Sequence, residues 1–325
     1  VLMIPGVALS GLELNDRLYT LPFAAAGPAL LFALLQLLVA RGRLRRSRTE
    51  IAALTALYGL GTVYFFSAVQ GSVWYTAHMV GGVMLLGFLL AAVDARRPVL
   101  AGLFLGLAFA CRPPMLLAFP FFLYELVRQG AGDDESASWR RALRGLGLAR
   151  FARSLLLFGA PVAAVLGALM WMNWARFADP FEFGHRYLEV IQAPRIEKWG
   201  LFSYHYLARN LGATLTSLPW LTSKPPHVVI SLHGLALWVT TPAFLWLLGP
   251  GRWDRPRIAW LVAALLVAAP TLLYQNTGWV QFGQRFSLDY TPLLILLLAA
   301  SSRRFSRLFV AAIAIAIAVN AFGAV

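Results

Sequence analysis

Long apolar runs separated by short polar punctuation dominate this chain. A helix crossing a hydrocarbon core of about 30 Å needs about 20 apolar residues, with a working range of about 17–25. Runs of that kind occupy residues 21–40, 51–69, 76–93, 155–175, 234–249 and 258–274. Two pairs of shorter runs complete the pattern, 99–111 with 115–127 and 288–300 with 308–322. The pattern predicts an all-α polytopic integral membrane protein with about ten transmembrane or re-entrant helices, organised as one membrane domain over residues 1–325. Pro113 and Pro114 mark a sharp junction inside the first short pair, because proline removes a backbone donor and breaks the helical ladder.

Charge placement gives these spans a direction. Arginines cluster at 41–48, 96–97, 128–153, 252–257 and 303–307, and these clusters hold nineteen of the 28 Lys and Arg residues. All fall on one side if every span crosses once, and the positive-inside rule assigns that side to the cytoplasm. Residues 128–154 then form a basic cytoplasmic loop. The N-terminal segment, the turn at 70–75, the Arg112 junction, a long loop at 176–233 and the loop at 275–287 face outward. The opening VLMIPGVAL, which starts at Val1, reads as the interior of a longer chain, so a preceding N-terminal segment is expected.

Composition agrees with this reading and narrows the function classes. Of 325 residues, 59% are apolar and 13% charged, and the mean hydropathy is +0.68. A soluble domain averages about 45–50% apolar and about 25% charged, so a water-soluble globule is excluded. The formal charge of +14 sits in the loop clusters, where it orients the chain and meets lipid headgroups; no nucleic-acid partner is implied. The single Cys111 excludes a disulfide framework, and the five histidines show no HExxH pairing. No cofactor is assigned, and a divalent metal held by oxygen ligands stays permitted.

The remaining polar residues concentrate on the outward side. The 176–233 loop interleaves aromatics with charges. A turn falls at Asp179 and Pro180, and residues 204–218 suit a helix lying in the interface plane, with His205 and Arg209 on its polar side. Within PFEFGHRY, Glu182 lies between Phe181 and Phe183 with His185 and Arg186 nearby, which suits a carboxylate tuned for proton transfer. The segment GWVQFGQRFSLDYTP carries Gln281, Gln284, Arg285, Asp289 and Tyr290 at the mouth of a helix. Arg285 and Asp289 are four apart, the spacing of a local ion pair; alternatively, Arg285 holds an anion while Asp289 orients its guanidinium. Arg112 in FACRPPM must snorkel, pair or bind a ligand, since a charge left at the bilayer centre costs about 2.5–3.5 kcal/mol even on insertion scales. His78 in VWYTAHM reads as an interfacial, packed histidine. Glu13 and Asp16 lie outside, ahead of the first long run.

Taken in order, RLYTLPFAAAGPALL, GLFLGLAFACRPPMLLAFP, MNWARFADPFEFGHRY, HGLALWVTTPAFLWLL and NTGWVQFGQRFSLDYTPLLILLLAA resemble the succession in bacterial membrane proteins of the GT-C glycosyltransferase superfamily. That superfamily includes the dolichyl-phosphate-mannose protein mannosyltransferases and related lipid A sugar transferases. The resemblance implies an enzyme of the bacterial inner membrane that moves a sugar from a polyprenyl-phosphate-linked donor to a lipid, glycan or protein acceptor at the outer face. It implies an acidic base in the first outer loop, but the usual Asp-Glu pair is absent here, leaving Glu182 and Asp16 as candidates. Arg112, Arg285 and Arg209 are the expected donor-phosphate ligands; His185, Arg186, Gln281, Asp289 and Tyr290 are the expected substrate contacts. Two alternatives stay open, a lipid or polysaccharide transporter or flippase and a non-catalytic scaffold of the cell envelope. The span centres are apolar apart from Gln36, which favours work at one face over passage through the middle.

Overall fold

The computed structural model describes residues 3–132, 138–187, 190–249 and 253–324. Fifteen α-helices are described, joined by 3₁₀ turns and one two-stranded ribbon. The first nine are α1 (Ile4–Ser10), α2 (Asp16–Ala40), α3 (Arg48–Leu60), α4 (Val63–Gln70), α5 (Val73–Ala92), α6 (Pro98–Cys111), α7 (Pro120–Gln129), α8 (Trp139–Leu146) and α9 (Leu148–Phe177). After them come α10 (Ala193–Trp199), α11 (Leu207–Leu215), the ribbon β1 (Trp220–Leu221) with β2 (Val228–Val229), α12 (Leu237–Thr240), α13 (Arg255–Leu273), α14 (Thr291–Ala300) and α15 (Arg307–Ala324).

Local chemistry sets the helix starts. The Asn15 side chain accepts from the amides of Arg17 and Leu18 to open α2, and Ser47 with Glu50 forms a reciprocal capping box on α3. Asp254 caps α13 through the Arg257 amide.

Among the described residues, five stretches are long and apolar enough to cross a membrane: Asp16–Ala40, Trp74–Ala95, Leu148–Phe177, Arg255–Leu273 and Arg307–Ala324. The pair α3 and α4, bent by 51° at its break, makes a sixth if it is one span. Two shorter apolar helices, α6 and α14, add to these, and the expected total of about ten transmembrane or re-entrant helices is met only in part by membrane-length spans. The 234–249 run gives only the four-residue α12 and a 3₁₀ turn at Pro242–Leu248, because Pro242 cannot donate into the ladder. The 115–127 run splits into a 3₁₀ turn, Pro113–Ala118, and α7. Helix α14 has ten residues, nearly all buried, as suits a core helix covered on every side.

Helix α5 is the hub. Of its membrane-length apolar window 83% is buried, against 11% for α9, which lies at the periphery. It packs on α2 and α6, and α6 packs on α9. Glycine makes the last contact possible: a Cβ on Gly102 would lie 1.9 Å from the Phe158 carbonyl oxygen.

One end of the bundle is stapled by arginines. Arg43 reaches Glu125 at 3.1 Å and Asp94 at 2.7 Å, and Arg128 reaches Asp94 at 2.5 Å. Arg46 donates to the carbonyls of Leu298, Ala299, Ser301 and Arg303, satisfying the C-terminal end of α14. These arginines, expected to orient the chain and meet lipid headgroups, also hold helix ends together. At the opposite end the 176–233 loop docks on the C-terminus of α13. Asn210 donates to the carbonyls of Leu272 and Tyr274 at 2.8 and 2.7 Å, and the Ser203 amide donates to Leu273 at 2.9 Å. The helix expected over 204–218 is present as a 3₁₀ turn, Tyr204–Tyr206, followed by α11.

Candidate functional site

Four chain segments meet at the loop-covered end of the bundle. Helix α5 supplies His78 near its start, and Arg112 follows the last residue of α6, where the two prolines end the helix. The 3₁₀ turn Arg285–Asp289 supplies Asp289, and the loop supplies His185. Gly81, one turn after His78, keeps α5 close to this junction; a Cβ there would meet Arg112 Cγ at 3.2 Å.

Asp289 is the pivot. It is fully buried and accepts from Arg112 Nη2 at 2.9 Å and from Arg112 Nε at 3.1 and 3.2 Å. His78 Nδ1 lies 3.0 Å from its other side, on Oδ1. Two partners on one carboxylate fix the Arg112 guanidinium and the His78 ring, which suits a low-dielectric site where an unpaired charge is costly. Arg112 spends Nε and Nη2 on this contact, and its side chain stays 21% exposed. No described hydrogen bond engages its Nη1. The guanidinium also lies over the Phe286 ring at 5.0 Å.

Arg112 stands on the wall of a cavity of about 350 Å³, lined otherwise by Pro113, Pro114, Phe183, His185, Phe202, Tyr274, Phe286 and neighbouring apolar atoms. The chamber is therefore mostly aromatic and apolar, with a fixed cation and a histidine at its edge. Glu182 is buried, and Phe181 and Phe183 on either side of it are exposed; Glu182 is not part of the cavity wall, whereas Phe183 is. The Asp179 carboxylate accepts from the Phe181 amide at 2.9 Å, which makes the expected turn.

The structure separates several residues that the sequence had grouped. Arg285 does not pair with Asp289: its Nη1 donates to the Trp279 carbonyl at 3.0 Å, and its guanidinium lies 5.2 Å from the Tyr75 ring and 5.5 Å from the Phe286 ring. The local pair fails because the segment is 3₁₀, where residues four apart diverge by about 120° around the axis instead of sharing a face. Arg285 is 8% exposed and is absent from the cavity wall. Arg209 serves the loop, donating to the Gln275 carbonyl at 2.5 Å and covering Tyr206. Burial first, and the Arg195 charge second, hold its pKa below the ordinary guanidinium value. Gln281 donates to the carbonyls of His233 and Thr277, knotting the 275–287 loop. Tyr290 is buried at the start of α14. Asp16 is half-buried as the first residue of α2 and does not line the cavity. The Arg186 side chain lies outside the described residues, as do Leu188 and Glu189.

His78 is the residue that sequence reasoning undervalued. A signal existed: His78, Arg112 and Asp289 were all placed at the same end of their runs, so three polar groups shared one level with no orienting role to explain them. Among the described residues no group of three or more His, Cys, Asp or Glu side chains converges as a metal site. Comparison with known proteins returns no matching family model, curated protein or solved structure.

Proposed function

We propose that this chain is a GT-C-type glycosyltransferase of the bacterial inner membrane that uses a polyprenyl-phosphate-linked sugar, with the Arg112 cavity on the outer face and the arginine-stapled end in the cytoplasm. In this topology the long helices cross the bilayer, and the short ones, α6, α7 and α14, complete the passages or re-enter. One observation carries the reading: a guanidinium held rigidly by a buried carboxylate, with Nη1 left over, on the wall of an apolar cavity. That combination suits a ligand with an anionic head and a hydrocarbon tail.

The chemistry follows from the groups at hand. An acceptor hydroxyl attacks the anomeric carbon of the sugar as the bond from that carbon to the phosphate oxygen breaks. The hydroxyl proton passes to a carboxylate, for which Glu182, next in sequence to Phe183 of the cavity wall, is the candidate. The departing prenyl phosphate gains a negative charge, which Arg112 stabilises. Asp289 and His78 act through Arg112, as positioning residues.

Undecaprenyl phosphate and the neutral alcohol undecaprenol, titrated onto the detergent-purified protein and read by native mass spectrometry, test the first step. The wild type should prefer the phosphate, and Arg112→Ala should lower that preference about tenfold or more. Equal affinity for both ligands in the wild type, or an unchanged preference in folded Arg112→Ala, refutes the assignment. Sugar transfer by Glu182→Gln at the wild-type rate would remove Glu182 as the base.

A further inference from the structure

At the arginine-stapled end a second cavity, of about 460 Å³, opens between α2, α5 and α6. Arg41, Arg96 and Arg97 stand at its mouth, and Leu37, Leu90 and Phe104 form its walls. It extends along α2 from Arg41 back to Leu30. Those twelve positions span eleven rises, about 16 Å at about 1.5 Å per residue, which is the depth of one leaflet of a core about 30 Å thick. Gly87 lets Phe104 close the inner wall, since a Cβ there would meet the Phe104 ring at 2.8 Å.

The mouth carries surplus positive charge. Asp94 accepts from Arg43 at 2.7 Å and from Arg128 at 2.5 Å, its other oxygen lies 2.6 Å from Arg41 as an ion pair, and Arg96 lies 3.8 Å away. Glu125, the only other carboxylate in this network among the described residues, is shared by Arg43 and Arg128. Two carboxylates thus face four guanidiniums. No described carboxylate lies within ion-pair distance of Arg97, and the Arg96 side chain is 65% exposed. The amides at the start of α6, just after Arg97, add partial positive charge on the same side.

We propose that this trough is a binding site for an anionic phospholipid, its phosphate held among Arg41, Arg96 and Arg97 and one acyl chain laid along Leu37, Leu90 and Phe104. A soluble anion would satisfy the arginines and leave the apolar trough empty; a zwitterionic lipid would fill the trough and leave the surplus charge unmatched. The site rests on the chain being embedded in a membrane and is independent of sugar transfer.

Native mass spectrometry of the detergent-purified protein with phosphatidylglycerol or phosphatidylcholine is the test, with glycerol 3-phosphate as a soluble competitor. Phosphatidylglycerol should be retained about tenfold more strongly than phosphatidylcholine, and millimolar glycerol 3-phosphate should not displace it. Arg97→Gln breaks no described ion pair, so it should fold and should remove most of that preference; Leu90→Trp should weaken both lipids. Equal retention of the two lipids, an undiminished preference in folded Arg97→Gln, or displacement by glycerol 3-phosphate would overturn the proposal.

Discussion

Replacing Asp289 with Asn keeps the volume of the side chain and removes its charge, which tests the centre of the site directly. Asp289 is fully buried and binds two guanidinium nitrogens of Arg112 at 2.9–3.2 Å, with His78 at 3.0 Å. Removing one partner of a buried pair costs about 3–5 kcal/mol. Arg112 keeps 21% side-chain exposure on the cavity, so it can turn toward solvent, and Asn preserves one acceptor. The expected loss is therefore at the low end, about 3 kcal/mol, measured by reversible unfolding in mixed detergent micelles. A double-mutant cycle with Arg112→Met should show a coupling of about 2 kcal/mol or more, within the range for residues in one network. The same cycle between Arg285→Met and Asp289→Asn should give less than half of that, because Arg285 spends its contacts on the Trp279 carbonyl, Tyr75 and Phe286. A coupling for Arg285 equal to that for Arg112 would restore the local i,i+4 pair and refute the triad.

Two further outcomes follow from the same structure. With Cys111 replaced, a cysteine at Tyr204 should react with a membrane-impermeant thiol reagent in intact cells while one at Arg140 should be protected; the reverse labelling would invert the proposed topology. Arg43→Met leaves Glu125, which has no solvent exposure, without its closest cation and should cost about 3–5 kcal/mol; adding Glu125→Gln should recover part of that loss in the same unfolding assay, and no recovery would show that the pair is not coupled.

The long helices were legible in the sequence because their signal is local. The runs at 21–40 and 155–175 fall inside α2 and α9, and those at 76–93 and 258–274 outrun α5 and α13 by one residue each, since a helix satisfies the backbone of a continuous apolar stretch of that length without water. The sequence also put Arg112, Asp289 and His78 at one level, because each lies at the end of a run. One run expected to reach membrane length did not where proline decided the outcome: Pro242 limits the 234–249 run to α12 and a 3₁₀ turn. Partner choice was not legible at all. Asp289 had a neighbour of the right charge four residues away and takes one 177 positions away instead, because a 3₁₀ turn points Arg285 elsewhere and the packing of α5 on α6 brings His78 and Arg112 together. Asp94 and Glu125 likewise gave no sign of recruiting Arg43, whose side chain is only 5% exposed. Residue type and run length act along the chain, whereas a buried charge is satisfied by whichever group the packed helices deliver to it, and that delivery exists only in three dimensions.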